Sequence, residues 1–258
     1  MSALTRFLQL SEEAALIGSS ASTLGWDQET YLPSQSHAWR AKQLAWLSGR
    51  RHELTTSEKW VEALDAALEE SISPRQDASL KEARREFERA TCLPTSLVER
   101  ESEVTSLAKH AWASAREASD FSVFAPELQK IREISREKAE LWGYSEDPYD
   151  ALLETYERGA TSASIQQIFD TAEPDLVTIA RAASERSASI GAKLPAGPYP
   201  IEKQMAFNRR VAESFGFDFE RGRIDTTTHP FCTTLGPGDV RLTTRYDEDD
   251  FSSSLFGV

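Results

Sequence analysis

Between Ser34 and about Gly216, apolar residues return every three or four positions. Val61, Leu64, Leu68 and Ile72 form one run, Val104, Leu107, Ala111 and Ala115 a second, and Ile165, Ile168, Phe169, Ala172, Leu176, Ile179 and Ala183 a third. A period near 3.6 gathers each set on one side of a helix, so each run predicts an amphipathic helix. Thr161 and Ser162 stand in front of the third run and bring hydroxyls suited to capping its free amides. Prolines punctuate the pattern at Pro33, Ser73-Pro74, Leu93-Pro94, Ala125-Pro126, Asp147-Pro148 and in the segment 194–200, which holds Pro195, Gly197 and Pro198. Proline lacks an amide donor and constrains its predecessor, so these positions mark turns or helix starts. The spacing predicts roughly eight helices in this stretch.

After Phe217 the texture changes. Thr226, Thr227, Thr228, Phe231, Thr233 and Thr234 precede Gly236-Pro237-Gly238-Asp239, and Val240, Leu242, Thr243, Thr244 and Tyr246 follow it. β-Branched and aromatic residues around a Gly-Pro-Gly turn predict a β-hairpin within 217–246. Asp247, Glu248, Asp249 and Asp250 then suit the positive end of a helix dipole, and Phe251, Leu255, Phe256 and Val258 continue an apolar face, so 247–258 reads as a helix beginning without a stop signal, as in a truncated chain.

The length of 258 residues is enough for a sizeable core, and with 40% hydrophobic and 28% charged residues the composition is that of a globular protein. No clean boundary divides it, which predicts a single helical domain over 1–258. Against 29 basic residues stand 42 acidic ones, a formal charge of −13 that repels phosphate backbones and anionic lipid, so neither nucleic acid nor membrane is an expected partner. Cys92 and Cys232 form no C-x-x-C pair, which argues against a zinc knuckle or a disulfide framework and for a cytoplasmic setting. Polar residues interrupt Met1 to Leu24, giving no export signal, and no window reaches the roughly 20 apolar residues of a membrane span.

Candidate chemistry is sparse. His37, His52, His110 and His229 include no pair at the four-residue spacing that puts two imidazoles on one helix face for zinc, and His52-Glu53 leads to Thr56 where a second ligand would stand. There is no G-x-S-x-G and no glycine-rich phosphate loop; Gly236-Pro237-Gly238 reads as a turn. The acidic run 247–250 could ligate a hard cation, though a cap and solvated first turn is the simpler reading. Trp26-Asp27-Gln28-Glu29-Thr30 reads as a buried indole beside a capping Asp27, with a cleft lining as the alternative. More informative is Thr228-His229-Pro230-Phe231 followed by Asp239-Val240-Arg241-Leu242-Thr243. In a strand, Asp239, Arg241 and Thr243 share one face, giving a row of carboxylate, guanidinium and hydroxyl that either grips a peptide or knits the hairpin through an Asp-Arg pair.

With those residues in view, the chain resembles the carboxypeptidase Taq family of metallocarboxypeptidases. The match is nearly end to end: Leu24-Gly25-Trp26-Asp27-Gln28-Glu29-Thr30, Glu88-Arg89-Ala90-Thr91, Pro148-Tyr149-Asp150-Ala151-Leu152-Leu153, Gly216-Phe217-Asp218-Phe219, His229-Pro230-Phe231, Asp239-Val240-Arg241-Leu242-Thr243-Thr244-Arg245-Tyr246 and Asp250-Phe251 to Gly257. Arg158 departs from it where the family pattern has proline. The family continues into H-E-x-x-H, whose histidines bind zinc or cobalt and whose glutamate activates a water; these 258 residues do not contain that motif. The resemblance therefore implies the N-terminal half of a homodimeric, metal-dependent enzyme that removes C-terminal residues from peptides. The implied fold is a mostly α multi-helix shell around a groove, with one hairpin near the metal. His229, Pro230, Phe231, Asp239, Arg241 and Thr243 would line the site, His229 as a donor to substrate and Arg241 as anchor or peptide contact, while catalytic and metal-ligating residues would be absent from this chain. A non-catalytic helical interaction or dimerisation module is the alternative, and a carboxylate-only hydrolase has little support.

Overall fold

A computed structural model describes residues 2–71, 73–190, 197–255 and 257. These residues fall into two compact units, 1–134 with 199–258, and 135–198.

In the larger unit, helix α1 (Ala3–Thr30) starts where Ser2 accepts a hydrogen bond from the Thr5 amide at 3.2 Å. Ala3, Phe7, Leu10 and Ala14 recur at helical spacing and bury against Trp60, Ala63, Leu64 and Ala67 of α3 (Glu58–Glu69) and Leu80 of α4 (Pro74–Thr91). Phe7 meets Trp60 edge-on at 5.2 Å, and Leu64 is wholly buried. Burying one such side chain contributes roughly 1.5–3 kcal/mol, so this is the apolar centre of the unit. Ser57 and Ser73 cap α3 and α4, with Pro74 in the first turn, where its missing amide costs nothing.

Helix α2 (His37–Thr55) lies between α1 and α5 (Thr95–Ala118). Its inner face is made of small residues, Ala41, Ala45 and Gly49. A Cβ at Gly49 would meet the Glu99 side chain, so this glycine leaves room for that side chain of α5. A single 3-10 turn (Phe121–Val123) leads into α6 (Ala125–Trp142).

The smaller unit holds α7 (Pro148–Leu153), capped by Asp147, and the long α8 (Ser162–Ile190). Asp150 accepts hydrogen bonds from the Ser162 amide and hydroxyl at 2.7 and 2.6 Å, and Thr161 and Ser164 cap each other's amides. The cap expected at Thr161 is in place. The third apolar run, by contrast, stays in water: Ile168, Phe169, Leu176 and Ile179 are 61 to 64% exposed.

Back in the larger unit, α9 (Ile201–Ser214) precedes strands β1 (Gly222–Thr226), β2 (Cys232–Gly236) and β3 (Asp239–Thr244). β2 and β3 form the expected hairpin, closed where Gly238 takes a φ of +76°, a conformation only glycine adopts freely. β1 adds a third strand, parallel to β3, in the order β1-β3-β2. Gly-Arg-Ile-Asp-Thr carries one strongly apolar residue, which is why periodicity does not reveal it. Gly222 permits close pairing, since a Cβ there would strike the Phe217 ring and the Val240 carbonyl.

The acidic run ends in a cap. Asp250 accepts from the Ser252 amide at 3.0 Å and hydroxyl at 2.5 Å, and the short helix α10 (Phe251–Leu255) follows. Ser254 is buried and donates to Gln204 at 2.8 Å, while its carbonyl accepts from Asn208 and Thr244. Of the apolar residues expected on this last helix, Phe256 and Val258 lie outside the described residues, as does Ile72 of the first run. The mostly α architecture with a small sheet near the C-terminal end is thus as the sequence predicts.

Candidate functional site

His229, Pro230 and Phe231 form the loop between β1 and β2, and two threonines fix it from opposite sides. Ahead of it, Thr227 is buried; its amide donates to the Thr244 carbonyl at 2.9 Å and its hydroxyl to the Glu29 carbonyl of α1 at 3.0 Å. Behind it, the wholly buried Thr243 closes on Phe231: its hydroxyl accepts from the Phe231 amide at 2.7 Å and lies 2.8 Å from the Phe231 carbonyl, to which the Thr243 amide also donates at 2.9 Å. Between these pins the His229 ring is exposed, with Nδ1 2.9 Å from the Pro230 carbonyl and the Trp112 ring 6.0 Å away. A loop held at both ends in this way can present a side chain to solvent without ordering it anew, which is what a binding group requires.

The row on β3 resolves into two parts. Asp239 and Arg241 bond each other bidentately, at 2.5 and 2.9 Å, and the guanidinium lies 4.3 Å above the Trp26 ring. The guanidinium hydrogen bond holds the Asp239 carboxyl below the usual carboxylate range. Thr243 serves the Phe231 backbone instead. No hydrogen bond joins His229 to Asp239, Arg241 or Thr243 among the described residues.

Sequence reading passes over a second pair beside the first. Arg223 faces Arg241 across the parallel strands and bonds the buried Asp225 bidentately at 2.7 and 2.6 Å. It also donates to the Tyr31 hydroxyl at 3.0 Å, and Tyr31 in turn donates to Asp225 at 2.5 Å, which together with burial raises the Tyr31 pKa. Arg223 shares the Trp26 ring with Arg241, at 5.3 Å. The signal available in the sequence was R-x-D on one strand answering D-x-R on the next, both with the two-residue spacing of a strand face. Together they clamp the end of α1 to the sheet.

The W-D-Q-E-T stretch is that end of α1. Asp27 is not the cap that composition suggests; it pairs with the buried Arg40 of α2 at 2.7 Å, and Arg40 also donates to the Leu24 carbonyl at 2.6 Å. A carboxylate inside the last turn cannot cap a helix start, and a buried guanidinium needs a counter-charge. Beside it a cavity of about 180 Å³ is bordered by Gln28, Glu29, His37, Lys109, His110 and Thr228. Here His37 and His110 stack at 4.0 Å, and Lys109 pairs with Glu29 at 3.1 Å.

The donor set does not fit a catalytic metal. Two stacked rings cannot converge their nitrogens on one ion, Glu29 is engaged by Lys109, His52 Nε2 bonds the Leu93 carbonyl at 2.9 Å, and His229 stands alone on its loop. No group of three His, Cys, Asp or Glu side chains converges among the described residues.

The family described as Carboxypeptidase Taq (M32) metallopeptidase matches residues 6–258. Carboxypeptidase 1 of Bacillus subtilis is 31% identical over 254 residues, and thermostable carboxypeptidase 1 of Thermus thermophilus is 32% identical over 265. These alignments take in 98% and 97% of this chain but 51% and 52% of the relatives. Among solved structures, the one titled "BsuCP Crystal Structure" superposes with a TM-score of 0.89 at 30% identity over 99% of this chain and 52% of that one, and Pyrococcus furiosus carboxypeptidase with 0.81 at 31% over 100% and 52%. The chain spans about half the length of the curated relatives it matches, and it belongs to the carboxypeptidase Taq family of metallopeptidases.

Proposed function

We propose that this chain forms one wall of the substrate groove in a metal-dependent carboxypeptidase that removes C-terminal residues from peptides. The observation that carries the reading is the H-P-F loop, pinned at Thr227 and Thr243 with the His229 ring exposed between them. In this reading His229 donates a hydrogen bond to the carbonyl oxygen of the bond being broken, or to the oxyanion that develops there. Arg241, committed to Asp239 and stacked on Trp26, holds the hairpin against α1 and keeps that donor aimed. Pro230 and Phe231 shape the loop. Zinc or cobalt, when bound, supplies the Lewis acid from residues outside these 258, so the chain alone turns over no peptide.

The working protein is a cytoplasmic homodimer whose partners are peptide C-termini. The charge of −13 disfavours nucleic acid, and no helix among the described residues is long and apolar enough to cross a membrane.

The test joins this chain to the second half of Bacillus subtilis carboxypeptidase 1, taken from the point where the alignment ends. The joined protein should bind about one metal ion and release the C-terminal residue of a short peptide, and the 258-residue chain should do neither. A joined protein that folds and holds metal but leaves peptides intact contradicts the reading, as does tight stoichiometric metal in the chain alone.

A further inference from the structure

The cavity of about 180 Å³ at the end of α1 adjoins the H-P-F loop, because Trp112 on its wall is also the ring that stands 6.0 Å from His229. Pockets for drug-sized ligands measure roughly 300–1,000 Å³, so this one has room for the end of a side chain or a single peptide group.

Its charges cancel in pairs. Lys109 meets Glu29 at 3.1 Å, and Arg40 behind it is held by Asp27 at 2.7 Å. Both polar contacts of the Glu29 carboxylate, from Lys109 and at 3.5 Å from Gln28, fall on Oε1, which leaves the lone pairs of Oε2 to a newcomer. An ammonium carries three N–H donors, and Lys109 spends one of them on Glu29. His37, also on the wall, has a buried Nδ1 with no hydrogen-bond partner among the described residues. A buried polar atom left unpaired is costly, so it marks a place where a partner is wanted. Burial, and His110 stacked on the ring at 4.0 Å, lower the His37 pKa, so the imidazole is uncharged at neutral pH.

We propose that this cavity is a subsite for an amide group of the peptide substrate, either the carboxamide of a glutamine or asparagine side chain or a main-chain peptide group, within two residues of the bond being broken. Its place beside the substrate rests on the H-P-F reading above: 6.0 Å is less than two residues of extended chain at about 3.3–3.6 Å each. An amide brings one acceptor and one donor face and no net charge. Its carbonyl accepts from Lys109, and its N–H is met by Glu29 Oε2 or by the neutral imidazole of His37. A carboxylate would gain Lys109 but stand against Glu29, and an ammonium would gain Glu29 but stand against Lys109. The ion pair that lines the cavity thus turns away both signs of charge and accepts the group that carries neither.

The test uses the 258-residue chain with ¹³C-labelled histidine, its four imidazole signals assigned by replacing each histidine in turn with glutamine. At neutral pH it is titrated with the N-acetyl, N-methylamide derivatives of glutamine, glutamate, lysine and alanine. The glutamine probe should shift the His37 and His110 signals saturably and leave that of His52, whose Nε2 is engaged by the Leu93 carbonyl, in place. The glutamate and lysine probes should bind at least about fivefold more weakly. Two variants should then tip the balance in opposite directions, with far-UV circular dichroism to check that the helices are kept. Lys109→Met leaves Glu29 uncompensated and should put the lysine probe first, and Glu29→Gln leaves Lys109 uncompensated and should put the glutamate probe first. An alanine probe as tight as the glutamine probe supports an amide site filled by the substrate backbone, and a weaker one assigns it to the side-chain carboxamide. Saturation by none of the probes, or an order that neither variant inverts, overturns the amide site and leaves the H-P-F reading standing, since His229→Ala in the joined protein tests that reading alone. In the joined protein Lys109→Met should raise KM for a glutamine-bearing peptide about fivefold while kcat holds. An unchanged KM takes the cavity off the path of the substrate and overturns the subsite.

Discussion

Leu64 and Thr243 are both wholly buried in the larger unit, yet different forces hold them. Leu64 sits among Phe7, Trp60, Ala63 and Leu80, where contact is non-directional and shared among many neighbours. Thr243 sits under the H-P-F loop, where its hydroxyl and amide meet one residue, Phe231, through bonds of 2.7 to 2.9 Å. The helical core supplies free energy, and the sheet supplies position. An apolar contact tolerates small displacements, but a buried amide has one good partner direction and is costly to leave unpaired. A loop that must hold His229 in one place is accordingly built from polar pins.

The largest effect should come from the apolar side. Leu64→Ala should lower the free energy of unfolding by roughly 2–5 kcal/mol, measured by urea titration, while amide exchange at Phe231 changes only as much as global stability does. A loss well under 1 kcal/mol would deny that this cluster is the core. Next, Thr243→Val keeps the shape but leaves the Phe231 amide without its acceptor, and should cost about 1–3 kcal/mol. Its distinctive mark is local: exchange at Phe231 and His229 should quicken beyond the global change. If exchange rises evenly across both regions, the pins are ordinary packing and the contrast collapses.

The smallest effect is a pH dependence in the helical part. Burial and the neighbouring His110 and Arg40 depress the His37 pKa, with Glu29 opposing them. The folded value thus lies below the unfolded value near 6.5, so the unfolded chain takes up the proton first. This contribution is present above about pH 6.5 and is lost as the pH falls through the folded value. The melting temperature should drop between neutral and mildly acidic pH, and His37→Asn should flatten that slope. An unchanged slope would remove His37 as its source.

Much of this was legible in the residues. Helical periodicity, proline punctuation and the Thr161 cap marked helices from α2 onward, and Gly236-Pro237-Gly238 marked the hairpin. The periodic stretch from Ser34 leaves out α1, although Ala3, Phe7, Leu10 and Ala14 recur there at three- and four-residue spacing. β1 escaped because its pairing with β3 is parallel and distant, and pairing of that sort leaves no local trace in a five-residue strand. The Asp239–Arg241 pair followed from strand periodicity, but its seat on Trp26 and its companion Arg223–Asp225 needed the third dimension. The stacking of His37 on His110 joins residues far apart in the chain and could not be seen as a pattern at all.

One measurement bears most directly on the central claim that the H-P-F loop presents His229 to substrate. In the joined protein with the Bacillus subtilis second half, kcat/KM for a short peptide is compared with the melting temperature for His229→Ala. A donor aimed at a developing oxyanion contributes on the order of 2–4 kcal/mol to the transition state, so kcat/KM should fall by about 30-fold or more. An exposed side chain whose contacts are the Pro230 carbonyl and the edge of the Trp112 ring changes folding by about 0.5 kcal/mol or less, so the melting temperature should move by only about 2 °C and metal content should hold. Activity that is unchanged, or that declines only in step with stability, would contradict the account and leave the loop as scaffold.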